Sequence, residues 1–366
     1  MIGFDAKRAF NNASGLGNYS RDHLRMCHSH LPEQSLCLFT PGKKEPFTNF
    51  AADWANTEVV MPRRGFGKLS PSWWRSFGLM PELRRRDLSV FHGLSASLPA
   101  GIARWRGKKV VTIHDLIFEK YPRWYKRADR VIHRRKVQHA VKAADVVVAI
   151  SQETADDLTR FYNVPSSKIR VIYQSCHPAF RIVGEPGGVT DSLPDNYALY
   201  VGTIEPRKHL GELLEAVAKT RDLPLVVVGR KTAYFKQIAK RYGELQQTGL
   251  LYEIQPDMAG LAEVMRKASF VCYPSQAEGF GIPMVEALFS GVPILAGNSP
   301  CLREVGGDAA LYVNPFDVEA IETAYRQLSD DAALRAYMAD ITRIRREHFT
   351  PNVLTEQWRN AYGLGN

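Results

Sequence analysis

Two segments of the sequence bring together residue types that could hold a diphosphate and the hydroxyl groups beside it. In the first, Gly202, Arg207 and Lys208 follow the apolar run YALYV and precede a helical pattern, HLGELLEAVAKT. Arginine presents a planar fork of N–H donors and lysine a compact charge, so an adjacent pair at a strand-to-helix turn suits a diphosphate. A solvated basic loop is the alternative interpretation of this segment.

The second segment is FVCYPSQAEGFGIPMVEAL, which places Glu278 on a loop and Glu286 on the helix that follows. We expect Pro283 to begin that helix and Glu286 to lie in its first turn. The loop N–H groups and the helix N-terminus could bind phosphate. Phosphate would repel the two carboxylates, which therefore fit sugar or ribose hydroxyls instead. The alternative is that Glu286 is an ordinary first-turn acid, stabilised by the helix dipole.

Three further positions give weaker signals. Gly15 and Gly17 in ASGLGNYS lie at a helix start and allow close approach of a phosphate, but Ser20 occupies the third glycine position of a dinucleotide fingerprint. His114 and Ser151 each follow an apolar run, VVTI or VVVAI, and so lie at the carboxyl ends of predicted strands, where α/β sheets bind ligands. A buried core histidine is an equally good interpretation of His114.

Several motifs are missing from the sequence. It has no GxxxxGK[ST] loop, which excludes a P-loop nucleotidase, and neither HExxH nor GxSxG. No two aspartates have Asp-x-Asp spacing, which argues against carboxylate-bound Mg²⁺ or Mn²⁺ under a diphosphate. The five cysteines are scattered and form no CxxC pair, so we expect neither a zinc site nor a disulfide framework.

Short apolar runs alternate with amphipathic segments along the whole chain. Several runs are apolar on both faces, as in parallel strands covered by helices on both sides. This alternation predicts doubly wound α/β domains. The predicted strands are Ile2–Phe4, Leu36–Phe39, Val59–Met61, Val90–His92, Val110–Ile113, Val146–Ile150, Ile169–Ile172, Ala198–Val201, Leu225–Val228, Leu251–Glu253, Phe270–Tyr273, Ile294–Ala296 and Ala310–Val313.

The charge changes sign where a linker is predicted. Residues 1–185 contain 30 basic and 16 acidic residues, whereas residues 186–366 contain 18 and 22. We expect a first domain over 1–178, a Pro- and Gly-rich linker over 179–195 and a second domain over 196–345. The basic half should face an anionic partner, unless its charge serves solubility alone. No apolar run is long enough to span a membrane and the N-terminus is charged, so we expect a cytoplasmic protein.

Taken together, these segments resemble the retaining, nucleotide-sugar-dependent glycosyltransferases of family 4. The resemblance covers nearly the whole chain and is carried by SGLGNY, TIHDL, VVVAIS, GTIEPRKHL and, most specifically, EGFGIPMVEALFSGVPILA. The start of the chain is similar to the mannosyltransferase-like branch that builds bacterial surface polysaccharides. The resemblance implies the GT-B fold, two Rossmann-like domains facing across a cleft, with a C-terminal helix over 346–366 that crosses back to the first domain.

The resemblance also implies roles for individual residues. Arg207 and Lys208 would hold the diphosphate as it leaves, and Glu278 would bind hydroxyls of the donor sugar. His114 would contact that sugar near the reacting carbon, and Glu286 would bind the ribose. The donor-binding residues implied in this way are Gly15, Gly17, Ser151, Gly202, Phe280, Gly281, Ile282 and Glu286.

Two details complete this comparison with the family. The nucleotide base is expected around Ile254–Asp257. His209 stands where the family usually has asparagine after the Arg-Lys pair.

The implied reaction is front-face transfer of a hexose with retention and without a metal or cofactor. The donor we favour is a GDP-sugar, GDP-mannose in particular, with a UDP-sugar as the alternative. The acceptor would be a glycan or a polyprenyl-diphosphate-linked glycan in surface polysaccharide or lipopolysaccharide synthesis.

The basic first half has two dense stretches in which arginine and lysine are interleaved with tryptophan and tyrosine. They run from Arg63 to Arg86 and from Lys120 to Lys136. This composition suits an anionic membrane surface, which we favour, and also single-stranded nucleic acid, which we do not expect as a partner. A nucleic-acid-binding protein and an NAD-dependent oxidoreductase or sugar-nucleotide epimerase remain the alternative functions.

Overall fold

The computed structural model describes residues 1–62, 70–182 and 187–365. Its internal contacts divide the chain into two units. Unit 1 comprises Met1–Ser175 together with the chain from Thr350 onward, and unit 2 comprises Cys176–Phe349.

Unit 1 contains a seven-stranded, all-parallel sheet in the order β3-β2-β1-β4-β5-β6-β7. The chain builds β1, β2 and β3 towards one edge and then returns to add β4 to β7 on the other side of β1. The strands are β1 Ile2–Asp5, β2 Leu36–Phe39, β3 Thr57–Val60, β4 Val90–Gly93, β5 Lys108–Ile113, β6 Val146–Ala149 and β7 Ile169–Val171.

Unit 2 contains a six-stranded, all-parallel sheet in the order β10-β9-β8-β11-β12-β13. Its direction of winding reverses between β8 and β11, as that of unit 1 does between β1 and β4. The strands are β8 Ala198–Val201, β9 Leu225–Val228, β10 Leu251–Ile254, β11 Phe270–Tyr273, β12 Ile294–Gly297 and β13 Ala310–Val313.

Helices connect these strands. The α-helices are α1 Lys7–Asn11, α2 Gly15–His30, α3 Pro71–Trp73, α4 Leu79–Arg85, α5 Ile117–Lys120, α6 Arg127–Ala143, α7 Gln152–Tyr162, α8 Pro178–Arg181, α9 Leu210–Thr220, α10 Phe235–Gln247, α11 Met258–Lys267, α12 Ile282–Ser290, α13 Pro300–Gly306, α14 Val318–Asp330, α15 Ala332–Arg345 and α16 Pro351–Tyr362. A π-helical turn, Trp74–Gly78, joins α3 to α4, and short 3₁₀ turns lie at Ile102–Arg104, Pro122–Trp124, Ser166–Lys168, Pro206–Lys208, Gly307–Ala309 and Arg346–Phe349.

The prediction of two doubly wound α/β domains is confirmed. Each of the thirteen predicted runs forms a strand, with ends that differ by at most two residues. Strands such as β8, β9 and β11 are buried at every residue, because helices cover both faces of each sheet. Among the described residues, no helix is both long enough and apolar enough to span a bilayer.

The two reversals of winding define where ligands are expected. In an open α/β sheet, the loops that follow the strands on either side of such a reversal diverge and leave a crevice at their carboxyl ends. In unit 2 these are the loops after β8 and β11, and in unit 1 the loops after β1 and β4. Arg207 follows β8 and Glu278 follows β11, so the sheet brings these distant segments to one edge.

Candidate active site

The loop after β8 is shaped to hold Lys208. Gly202 has φ of +153°, and a Cβ there would lie 3.2 Å from Lys208 Nζ and 3.3 Å from its Cδ. The chain then forms the 3₁₀ turn Pro206–Lys208 and passes through His209, which has φ of +49°. This left-handed conformation favours asparagine among non-glycine residues, which is the residue that the family resemblance leads us to expect here.

Helix α9 fixes this turn against the core. Its apolar residues recur at helical spacing, with Leu210, Leu213, Leu214 and Val217 all fully buried. The helix packs along α14, and the buried stripe therefore sets the position of the Arg-Lys pair at its start.

The Glu278 carboxylate forms ion pairs with both Arg207 and Lys208. Arg207 Nη1 lies 2.8 Å from Glu278 Oε1, and Lys208 Nζ lies 2.9 Å from the same oxygen. Ser275 Oγ donates a third hydrogen bond to that oxygen at 2.8 Å. Lys208 also donates to the Tyr273 hydroxyl at 2.9 Å. Two segments that are far apart in sequence, one with Arg207 and Lys208 and one with Ser275 and Glu278, thus meet at one carboxylate oxygen.

Electrostatics keep this carboxylate ionised. Burial opposes ionisation of Glu278, but the charges of Lys208 and Arg207 outweigh it and lower its pKa to about 2. Burial likewise opposes the charge on Arg207, yet Glu278 raises the pKa of that guanidinium above its ordinary value. The sequence analysis expects phosphate to repel Glu278. That expectation leaves out Arg207 and Lys208, which already stabilise this carboxylate.

The cations keep hydrogen-bonding capacity for a ligand. Arg207 uses Nε on Glu205, 3.1 Å away, and Nη1 on Glu278 and on the Ala277 carbonyl. Within the described residues, neither hydrogen of its second terminal nitrogen, Nη2, is engaged in these contacts. Lys208 has three N–H donors and directs two of them to Glu278 and Tyr273. An anion at this edge of the sheet would meet the remaining donors.

Glu286 lies deeper in helix α12 than predicted. The helix begins at Ile282, so Glu286 is its fifth residue and its first turn contains no acid. The prediction of a first-turn position is wrong, because Gly281, with φ of +101°, is the N-cap and the helix begins at Ile282, one residue before Pro283. Glu286 is 5% exposed. A helix-dipole role therefore does not explain this residue.

Among the remaining predicted donor-binding residues of unit 2, Phe280 is held in the core by its ring and its carbonyl group. Phe280 is 3% exposed and packs edge-to-face on Phe349, with ring centroids 5.9 Å apart. The Cys301 thiol donates to the Phe280 carbonyl at 3.2 Å. In the loop expected around the base, the Asp257 side chain accepts from Gly260 N at 2.8 Å and so caps helix α11.

In unit 1, His114 lies just beyond the end of β5. Its Nε2 is 2.8 Å from the Leu94 carbonyl. A carbonyl only accepts, so Nε2 carries the proton and Nδ1 presents a lone pair. Burial lowers the pKa of His114 to about 4, which makes it neutral at pH 7. The Tyr19 ring packs edge-on against it at 4.5 Å. A neutral Nδ1 can accept a hydrogen bond from a hydroxyl group.

The two glycines at the start of α2 have different surroundings. A Cβ on Gly15 would meet no atom within 4 Å, whereas one on Gly17 would lie 1.8 Å from the Asn12 carbonyl oxygen. Gly17 therefore permits the close packing of α1 on α2, and Gly15 is exposed. Ser151 caps helix α7, with its hydroxyl accepting from Thr154 N at 3.2 Å. This cap explains Ser151 without a ligand.

The two basic stretches are only partly surface features. The part that includes Arg63, Arg64 and Lys68 lies outside the described residues. Trp74 is 5% exposed and belongs to the core, whereas Trp73 and Trp124 are 51% and 41% exposed.

Sequence reasoning missed a buried polar network between helix α16 and the sheet of unit 1. The Tyr362 hydroxyl lies 2.8 Å from His23 Nε2 and 2.9 Å from His92 Nδ1. His92 Nε2 is 2.8 Å from Thr112 Oγ1, which is 3.1 Å from the Tyr19 hydroxyl. These residues lie up to 339 positions apart in the sequence. The only local signal was the helical spacing within α16, which indicates that this helix buries one face.

Two family models match the chain. Residues 22–179 match the model described as Glycosyltransferase Family 4, and residues 190–345 match the model described as Glycosyl transferases group 1.

Curated bacterial mannosyltransferases are similar to the chain. It is 30% identical over 296 residues to O-antigen chain mannosyltransferase B of Escherichia coli, covering 75% of this chain and 74% of the relative. It is 29% identical over 224 residues to O-antigen chain mannosyltransferase RfbU of Salmonella typhimurium, covering 60% of each. The alignment with the serotype-specific mannosyltransferase WbdA of Escherichia coli, 28% identical, covers 69% of this chain and 33% of that relative.

Solved glycosyltransferase structures share the fold. The lipopolysaccharide glycosyltransferase WaaG is 15% identical, with a TM-score of 0.71 over 99% of this chain and 98% of the other. Anabaena HepE in complex with UDP-glucose is 14% identical, with a TM-score of 0.76 over 99% of each chain. At these identities the likeness shows the fold and nothing further.

Proposed function

Since the chain belongs to the glycosyltransferase family that these two models describe, and has its GT-B fold, we propose that it transfers mannose from a nucleotide-diphosphate sugar. The acceptor in this proposal is a glycan or a lipid-linked glycan of a cell-surface polysaccharide. The names of the mannosyltransferase relatives support the sugar. GDP-mannose is the donor that we favour, and a UDP-sugar is the alternative.

One observation carries this proposal: a pair of cations with unused N–H donors lies at the winding reversal of the unit 2 sheet. Arg207 and Lys208 would bind the donor diphosphate there. Negative charge grows on the diphosphate as it leaves, so these two cations would stabilise the transition state more than the ground state. The residues do not require a metal for this role, and we propose transfer without one.

Glu278 would serve the donor sugar through its second oxygen. The three contacts from Arg207, Lys208 and Ser275 all converge on Oε1. Oε2 accepts none of these three and is the oxygen that we assign to a sugar hydroxyl. An ionised carboxylate forms strong hydrogen bonds of this kind. Glu286 would bind the ribose hydroxyls, and the backbone at Gly281 would line the donor.

The stereochemical course that we propose is retention by front-face attack of the acceptor hydroxyl. The cations stabilise the leaving diphosphate, and no carboxylate then needs to act as a covalent nucleophile. In unit 1, the neutral Nδ1 of His114 would accept a hydrogen bond from a hydroxyl of the transferred sugar.

Unit 1 would also contact the anionic inner surface of the membrane. The supporting observation is a set of exposed apolar side chains in unit 1, two of which lie on helix α6, which is rich in arginine and lysine. Aromatic and aliphatic groups of this kind, interleaved with cations, suit the headgroup region. The exposed apolar residues are Trp73, Phe77, Trp124, Val131 and Ile132.

A donor screen tests the proposal. Release of nucleoside diphosphate is measured with GDP-mannose and common UDP-sugars in the presence of a lipid-linked acceptor and EDTA. We expect turnover with GDP-mannose, and an α-linked product by NMR if the configuration is retained. Lys208→Ala and Glu286→Ala should each lower kcat/KM by about two orders of magnitude or more.

Lys219→Ala is the matched control, because this lysine lies on α9 in the same unit and its side chain is 49% exposed. We expect it to keep wild-type activity. Near-wild-type turnover in both site variants, or no turnover with any sugar nucleotide, would refute the proposal.

A further inference from the structure

Positive charges gather where β1 ends, at the winding reversal of the unit 1 sheet. Asp5 is the last residue of β1 and is 5% exposed. Lys7 and Arg8 follow it at the start of α1. Arg75, from the π-helical turn before α4, donates from Nε to both Asp5 carboxylate oxygens at 3.1 Å. Lys136 of α6 adds a fourth cation. We call Lys7, Arg8, Arg75 and Lys136 the β1 cation cluster.

The cluster has one carboxylate for four cations. Asp5 is held by Arg75 in a two-point contact, which neutralises one charge. In the part of the chain that the structure describes, no ion pair within 4 Å involves the side chain of Lys7, Arg8 or Lys136. About three positive charges therefore stay uncompensated at one edge of the sheet.

The four cations repel one another. Burial lowers the pKa of Lys7, and the charges of Arg75 and Arg8 lower it further. Burial, then Arg75 and Arg8, lower the pKa of Lys136 in the same way. Asp5 is the acid that opposes this effect on Lys7 and Arg8. A partly buried excess of charge is unfavourable in the free protein and is relieved when an anion binds.

The position of the cluster also points to a ligand. The carboxyl ends of β1 and β4 flank the reversal of winding, which is where open α/β sheets bind ligands. The corresponding loop of unit 2, after β8, carries Arg207 and Lys208. The charge of Arg8 also contributes to the lowered pKa of His114 beyond β5. The cluster thus shares its sheet edge with His114.

We propose that the β1 cation cluster binds the phosphate groups of the acceptor, a diphosphate ester. Three uncompensated cations match the two to three negative charges of a diphosphate better than the single charge of a carboxylate. Asp5 serves as the positioning residue, because it holds Arg75 with its remaining N–H groups available to the ligand. The identification of this ligand as the acceptor rests on the proposed function, whereas the binding of an anion at this cluster does not.

Binding measurements without catalysis test this site. Calorimetric titrations use farnesyl diphosphate, farnesyl monophosphate and farnesol, with GDP in excess to occupy the nucleotide site. We expect affinity to fall in that order and the diphosphate affinity to drop steeply with salt. The double variant Arg8→Gln/Lys136→Gln should weaken farnesyl diphosphate binding about tenfold or more. Arg75 is left intact, because its loss would strand the buried Asp5 charge.

Arg84→Gln is the matched control, an exposed arginine of the same unit, and should bind farnesyl diphosphate as the wild type does. Wild-type affinity in the double variant would overturn the proposal. A parallel loss of GDP and UDP affinity would assign the cluster to the donor and also overturn it. Loss of binding to phosphatidylglycerol vesicles, with farnesyl diphosphate binding unchanged, would assign it to membrane lipid instead. Absence of sugar transfer would refute the proposed function but leave these titrations interpretable.

Discussion

At the scale of single residues, Glu278 both stabilises unit 2 and lies in the candidate site. Its ion pairs with Arg207 and Lys208 are largely buried, since the Glu278 and Lys208 side chains are 11% and 9% exposed. Removing one partner of a buried pair leaves the other charge uncompensated, which costs about 3–5 kcal/mol. The same carboxylate is the one that we assign to the donor sugar.

Glu278→Gln should therefore destabilise unit 2. The amide cannot balance two cations, so we expect a loss of about 3 kcal/mol, or a fall in melting temperature of about 6–12 °C. Differential scanning fluorimetry measures the shift. Glu205→Gln is the matched control, because among the described residues Glu205 forms an ion pair only with Arg207 and is 34% exposed; it should shift the melting temperature little. Equal shifts in the two variants would contradict this account.

Local sequence singled out Arg207, Lys208 and Glu278, which the structure brings together, but not the contacts among them. The Arg-Lys pair and the two glutamates were recognisable from residue type and spacing, because each lies beside a strong strand or helix pattern. Tyr273 and Ser275, which complete the contacts of Lys208 and Glu278, have no such signal. The Asp5–Arg75 bond spans 70 positions and depends on packing that no local pattern records.

At the scale of elements, the strands were predictable because β-branched apolar runs of four to six residues are distinctive. Strand β3 was placed two residues late, since its residues Thr57 and Glu58 are polar and lie at the sheet edge. The start of α12 was placed one residue late, because proline is tolerated at either of the first two helical positions.

The start of α2 shows how one glycine serves packing. Gly17→Ala would place a Cβ 1.8 Å from the Asn12 carbonyl oxygen, which Arg21 Nη1 already binds at 2.8 Å. That backbone cannot yield cheaply, so we expect a loss of about 2 kcal/mol or more. Gly15→Ala meets open space and should be neutral or stabilising by up to about 1 kcal/mol. Thermal unfolding of both variants checks this, and a similar loss in each would refute the packing role of Gly17.

At the scale of the whole molecule, the two units depend on ionisable groups of opposite kind. Unit 1 buries three neutral histidines. Burial lowers the pKa of His23 to about 3, that of His114 to about 4 and that of His92 well below its ordinary value. Unit 2 buries the ionised Glu278, with its pKa lowered to about 2. Each group therefore makes stability depend on pH, but in a different range.

Acid should destabilise unit 1 before unit 2. A histidine with a lowered folded-state pKa gives stability that is complete above pH 6.5 and is lost as pH falls, because only the unfolded chain takes up the proton. Three such groups predict a slope of up to about 4 kcal/mol per pH unit between pH 6.5 and 4. The contribution of Glu278 is complete above pH 4.5 and is lost between pH 4.5 and 2. Hydrogen exchange from pH 7.5 to 4.5 should therefore show loss of protection first in α2 and α16, with α9 and α12 still protected.

His92→Gln should lower the slope for unit 1 by about a third, whereas His348→Gln, an exposed residue of unit 2, should not change it. Earlier opening of α9 and α12, or a slope in unit 1 that corresponds to less than one proton, would contradict the role of the buried histidines.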